Sequence, residues 1–150
     1  MIRPAEPRDV KFMVSLGSMM HQESRFNVLR FNASKVGDFI FHLMNTGQFA
    51  VVAEKDGEII GGFIGAIMPH WASDDLVAYD FALFLHPEHR GGMTGPKLVK
   101  AYREWALSRG AKMVSMGVNT GVHAEQTGRM FERIGFELIG YVYEGVPSCA

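Results

Sequence analysis

The chain has 150 residues, 47% of them hydrophobic and 21% charged, with a net charge of -1 at pH 7 and one cysteine. That is enough chain for one ordinary hydrophobic core, in one domain spanning residues 1–150. It excludes a disulfide-stapled scaffold, and it lacks the basic excess with which nucleic-acid binders meet phosphate, so no nucleic-acid partner is expected.

Met1–Glu6 has no apolar leader core, and the longest apolar stretch, Ile59–Met68, is too short to span a bilayer. The expectation is a cytoplasmic protein without a membrane partner. Cys149 has no partner in the chain and reads as a tail residue. Ile2–Ala5 is predicted as a short strand. Val10, Met13, Val14, Gly17 and Met20 then recur at helical spacing after Asp9, a residue suited to an N-cap. Ser34 is read as the cap of a second helix with Val36, Phe39, Ile40, Leu43 and Met44 on one face, ended by Gly47. Phe49–Ala53 and Glu58–Met68 read as strands joined by a hairpin at Asp56-Gly57, residues that tolerate positive φ. Gly61, Gly62 and Gly65 in the second of them point to a bulge or to close approach of another chain segment. Val77–Leu85 is a further strand, Pro96–Arg109 a helix, Met113–Val118 a strand, Ala124–Ile134 a helix and Phe136–Tyr143 a last strand. Hairpins mixed with crossover helices predict an α/β (α+β) fold on one mixed sheet of about six strands with four helices.

The stretch Phe84-Leu85-His86-Pro87-Glu88-His89-Arg90-Gly91-Gly92-Met93-Thr94-Gly95-Pro96-Lys97-Leu98 carries the most chemistry. A buried strand runs into a glycine-rich turn that opens a helix, with Gly95 expected as N-cap and Pro96 as first helical residue. Free N–H groups, the positive helix end and the Arg90 guanidinium make a site fit for a pyrophosphate. It is not a P-loop, which needs Gly-Lys-Ser/Thr where this chain has Gly95-Pro96-Lys97. Nor is it a dinucleotide fingerprint, since a hairpin precedes the strand.

His86-Pro87-Glu88-His89-Arg90-Gly91 followed by Gly95 resembles the acetyl-CoA motif of the GNAT N-acetyltransferases. Ile2–Asp9 is similar to that family's opening, and Arg129–Phe136 to its late helix and Gly-Phe ending, so the resemblance runs from Ile2 to about Tyr143. It implies a splayed sheet whose strands Val77–Leu85 and Met113–Val118 part at one end. The pantetheine arm of acetyl-CoA would lie in the gap along Leu83, Phe84 and Leu85, and the pyrophosphate at Arg90, Gly91, Gly92, Met93, Thr94 and Gly95. Met93 replaces the motif's middle glycine, which is tolerable if its φ stays negative. Phe131 stands where many members have the tyrosine that protonates the leaving thiolate, and Asn119 is a stand-in for the usual cofactor asparagine, whose place Ala124 takes. The family's seventh strand has no counterpart in the last residues.

The resemblance further implies an acetyl transfer to a primary amine, of a small molecule or a peptide, by direct attack in a ternary complex and without a metal. Asp80, on the strand beside the gap, is the first candidate for general base, with Glu23 second; Tyr141 is a candidate acid. His21, Glu23 and Ser24, ending the first helix, and His70 and Trp71, in the loop before the fourth strand, are candidates for contact with the acceptor. Phe131 and Met93 also leave open a weak or inactive member that serves as an acyl-CoA-binding or interaction module. The last strand, carrying Leu138, Ile139, Tyr141 and Val142, would leave a bare apolar edge, and bare edges invite pairing into a homodimer.

Overall fold

The computed structural model describes residues 1–145. Strand β1 (Ile2–Pro4), helices α1 (Val10–Glu23) and α2 (Ala33–Asn45), strands β2 (Phe49–Lys55), β3 (Glu58–Pro69) and β4 (Leu76–Leu85), helix α3 (Thr94–Ser108), strand β5 (Met113–Val114) and helix α4 (Ala124–Ile134) follow in that order. Among the described residues the sheet has five strands in the order β1-β2-β3-β4-β5, antiparallel except for the β4–β5 pair. The mixed α+β sheet with four helices is the fold expected.

β2 explains the layering. Its side chains alternate by the period of two: Phe49, Val51 and Ala53 bury in one core with Leu98, Val99 and Tyr102 of α3, while Ala50 and Val52 bury in a second core with Met13 of α1 and Ile40 of α2. The sheet is therefore covered on both faces. The turn at Asp56-Gly57 has φ of 52° and 80°, the pair of positive values that a two-residue hairpin loop demands. Glycine in β3 serves close approach: a Cβ at Gly65 would lie 2.9 Å from the Tyr79 carbonyl oxygen and 3.0 Å from the Tyr102 ring.

Several boundaries differ from expectation. Asn32, not Ser34, caps α2, its side chain accepting the Lys35 N–H at 3.0 Å. Asp9 does not cap α1. Its carboxylate takes two bonds from Arg3, at 2.7 and 3.1 Å, and the Glu6 N–H at 2.8 Å, and Arg3 also reaches Glu54 at 3.0 Å. The Arg3 guanidinium holds the Asp9 carboxyl below its ordinary range. Helix α3 begins at Thr94 after Met93, so Gly95 and Pro96 lie inside its first turn, where proline still costs no hydrogen bond. β5 is two residues long instead of six. The expected sixth strand is not formed: residues 136–143 belong to no ladder, and Leu138, Ile139, Tyr141, Val142 and Tyr143 stand exposed. Cys149 lies outside the described residues.

Candidate active site

The gap arises where β4 and β5 stop pairing. Val77 lies opposite Met113 and Ala78 opposite Val114, and the Ser115 N–H reaches the Ala78 carbonyl at 2.9 Å. Past this point β5 leaves the sheet, while β4 continues to Leu85 bonded to β3 alone. Asp80 marks the vertex, its carboxylate accepting the Gly117 N–H across the gap at 3.2 Å. Next to it the β3–β4 register slips: Ile64 faces Ala82 but Gly65 faces Asp80. Phe81 is the extra residue of this bulge, so its amide is not part of the β3 ladder. Leu83, Phe84 and Leu85 follow, the side chain of Phe84 buried in the α1–α2 core and Leu83 and Leu85 packed against the α3 core.

β4 then delivers the chain into the turn. His86 accepts the Glu88 N–H at 3.3 Å, a short helical turn runs over Pro87–His89, and Gly91 takes φ 81°, a conformation that only glycine adopts freely. Among the described residues, the N–H groups of Gly91, Gly92, Met93, Thr94 and Gly95 find no acceptor in the chain. Met93 has φ -88°, the negative value on which its substitution for glycine depends. A Cβ at Gly92 would meet nothing within 4 Å, whereas one at Gly95 would meet Leu85 at 3.3 Å and Met130 at 3.5 Å. The turn is thus a row of unsatisfied donors at the positive end of α3, open at Gly92 and closed beneath Gly95.

The end of α1 spans both lips of the gap. Glu23 pairs with Arg90 through both carboxylate oxygens, one bond at 3.1 Å and the other shorter. This pairing pulls the Glu23 carboxyl down and pushes the Arg90 guanidinium up from their ordinary values, with His123 adding a weaker pull on Glu23. Two residues on, Arg25 donates through its backbone to Thr120 at 2.8 Å and through its side chain to the Asn119 carbonyl, and pairs with Glu144 at 2.6 Å. Ser24, between them, is buried and spends its hydroxyl on the helix end, accepting from Phe26 and donating to His21. Glu23 is thus paired with the guanidinium of the turn before α3, and Ser24 caps the end of α1.

Of the other expected residues, His21 lines a cleft on the α1–α2 side of β4, and the rest lie apart from it. His21 bonds the Leu29 carbonyl at 2.7 Å and leans on the Phe31 ring. His70 accepts the Ala72 N–H at 3.1 Å and lies against Trp71, which is 91% exposed; the β3–β4 loop packs on itself. Phe131 is buried in the α3 core beside Phe136. Tyr141 is 77% exposed and its described contact is the Tyr143 ring. Asn119 is exposed in the loop leaving β5.

Asp80 is the expected site residue whose carboxyl burial perturbs most directly. Burial lifts its carboxyl above the ordinary aspartate value, with the Gly117 N–H opposing. Tyr102, fully buried on α3 and donating to the Ser115 carbonyl at 3.1 Å, lies close enough for the Asp80 charge to add to burial in raising its phenol. On the opposite face of β4 a cleft of about 300 Å³ opens between the sheet, α1 and α2. The bulge residues Phe81 and Ala82 form part of its wall, and Phe39 meets Phe81 edge-on at 4.9 Å. Two residues expected at the acceptor, His21 and Ser24, line this cleft, whereas its aromatic wall from Phe26, Phe31, Phe39 and Phe81 was not anticipated from the sequence.

Comparison with known proteins accords with this geometry. Three solved structures share the fold at low identity. A ribosomal-protein-alanine N-acetyltransferase from Brucella melitensis biovar Abortus 2308 aligns at 18% identity and TM-score 0.70, over 97% of this chain and 99% of that one. An aminoglycoside 6'-N-acetyltransferase from Acinetobacter haemolyticus aligns at 14% and 0.73, over 100% and 99%. A predicted acetyltransferase from Clostridium acetobutylicum, solved with acetyl-CoA, aligns at 14% and 0.74, over 97% and 95%. No curated protein sequence matches. The family model for the acetyltransferase (GNAT) family matches residues 17–136, most of the chain, from inside α1 to just past α4. The parted strands and the donor-lined turn both fall within that match, and the chain belongs to the acetyltransferase (GNAT) family.

Proposed function

We propose that this protein is an acetyl-CoA-dependent N-acetyltransferase that acetylates a primary amine in a ternary complex. The observation that carries the reading is the continuity of β4's unpaired edge, from Asp80 to Leu85, with the unsatisfied N–H groups of Gly91–Gly95. Acetyl-CoA fits both parts: an amide-bearing arm can pair with a free strand edge, and a pyrophosphate satisfies a row of backbone donors at a helix N-terminus. When bound it supplies an activated acetyl thioester.

The chain's own residues do the rest. The Phe81 amide, freed by the bulge, can donate to the thioester oxygen as negative charge develops there. An alkylammonium must lose a proton before it attacks, at a cost of about 5 kcal/mol near neutral pH. Asp80, at the vertex and with a raised pKa, takes that proton, directly or through one water. The new N–C bond forms as the C–S bond breaks, and the departing thiolate, with an ordinary pKa of about 8.5, needs little help in taking a proton from solvent. That lessens the loss of a tyrosine at Phe131. We further propose a homodimer through residues 137–143.

Calorimetry should show acetyl-CoA binding in the micromolar range or tighter, at about 8 kcal/mol or more. Free coenzyme A should appear only when an amine is added. Binding without release for any amine would favour the interaction-module reading, and no binding would remove both.

A further inference from the structure

The cleft between the sheet, α1 and α2 has a composition that restricts its occupant. Its wall is built from Phe26, Phe31, Phe39, Phe81 and Met13, and its rim carries the cation Lys35. His21 also lines it, and among the described residues no carboxylate does. Glu23, the acidic residue next to the cleft residue Ser24, is turned away into its pair with Arg90. At about 300 Å³ the cleft is at the small end of ligand cavities. A polycation entering it would exchange water for aromatic walls and meet Lys35, with no negative group to offset the lost hydration. A single amino group on an apolar body fits better, because the rings take the body and only one charge has to keep its water.

We infer that the acceptor is a small monoamine with an aromatic body, and that Phe81 and Phe39 select it. This rests on the acetyltransferase reading, and its test is chosen to fail separately. Binding is measured by calorimetry on the full chain saturated with coenzyme A, using 2-phenylethylamine, spermidine and the aminoglycoside kanamycin as probes. The expected order puts 2-phenylethylamine at least about tenfold tighter than either polycation. Phe81→Ala, a truncation at a side chain already 47% exposed, should cost 2-phenylethylamine about tenfold and leave spermidine unchanged. Lys35→Glu, on the exposed rim, should improve spermidine and leave coenzyme A binding intact. Equal or tighter binding of the polycations overturns the inference, as does a Phe81→Ala variant that binds all three probes as the parent does. Turnover of the same panel is read separately. Selective binding of 2-phenylethylamine without acetylation would sink the enzymatic reading and leave the recognition standing.

Discussion

At the scale of single residues, Asp80 is under two demands that pull apart. Its carboxyl is raised by burial, so the folded state holds the proton more tightly than the unfolded chain does. The sign follows from linkage. The penalty is absent below the ordinary aspartate pKa, grows as pH rises through the window between that value and the raised one, and is complete above the raised one. Asp80→Asn removes the charge and keeps an oxygen for the Gly117 N–H, 3.2 Å away. At pH 7 this variant should melt higher, by about 1–3 °C, and its kcat should fall by about 100-fold with acetyl-CoA affinity unchanged. Thermal melts and steady-state kinetics on one preparation check both. A variant that melts lower and turns over normally would show Asp80 to be structural. Asp80 was legible in the sequence as an acid on the right strand. Its neighbours were not: Phe81 reaches the other face through a bulge, and Tyr102 comes from a helix more than twenty residues later, so neither obeys a local spacing rule.

Between elements, the decisive contact is that of α1 with the turn before α3. Glu23 occupies the guanidinium that the pyrophosphate would need. The pair is exposed enough to contribute only about 0.2–1 kcal/mol. Glu23→Gln should therefore tighten acetyl-CoA by about two- to fivefold, where a carboxylate that only held the acceptor would leave this affinity alone. Calorimetry of the two proteins side by side decides. For the turn itself Gly92→Glu is the clean probe, since its side chain enters open space in front of the donors. Its acetyl-CoA affinity should fall by at least about tenfold with the melting temperature kept, and equal affinity would mean that the phosphates bind elsewhere. Gly95→Glu would confound the two, because Leu85 and Met130 already fill the space its Cβ needs. The helices were legible from periodicity, and α4 matches its predicted span residue for residue. β5 was not. Met116 and Val118 read as strand, but the pairing partner has gone by then, and a ladder is a property of two segments.

At the scale of the whole molecule, the terminal segment is the unsolved part of the surface. Leu138, Ile139, Tyr141, Val142 and Tyr143 are 66%, 84%, 77%, 78% and 88% exposed in one run, an apolar surface that the proposed dimer would cover. Its composition suits a strand, with β-branched and aromatic residues either side of Gly140, yet within one chain it has no ladder to join. A second copy supplies one. Two such segments paired antiparallel about a two-fold axis would satisfy each other's backbone and shield these side chains, without drawing on any residue of the gap. The Arg25–Glu144 pair, at 2.6 Å, links the far end of the segment to the α1 loop. Light scattering at micromolar concentration should give twice the chain mass. Ile139→Lys should move it toward monomer by placing a charge in the seam, and Tyr141→Pro by removing a donor from the ladder. Acetyl-CoA binding should persist in both. A monomeric mass for the parent protein would defeat the dimer while leaving the chemistry at Asp80 untouched, because nothing in the gap depends on the segment beyond Glu144's hold on Arg25.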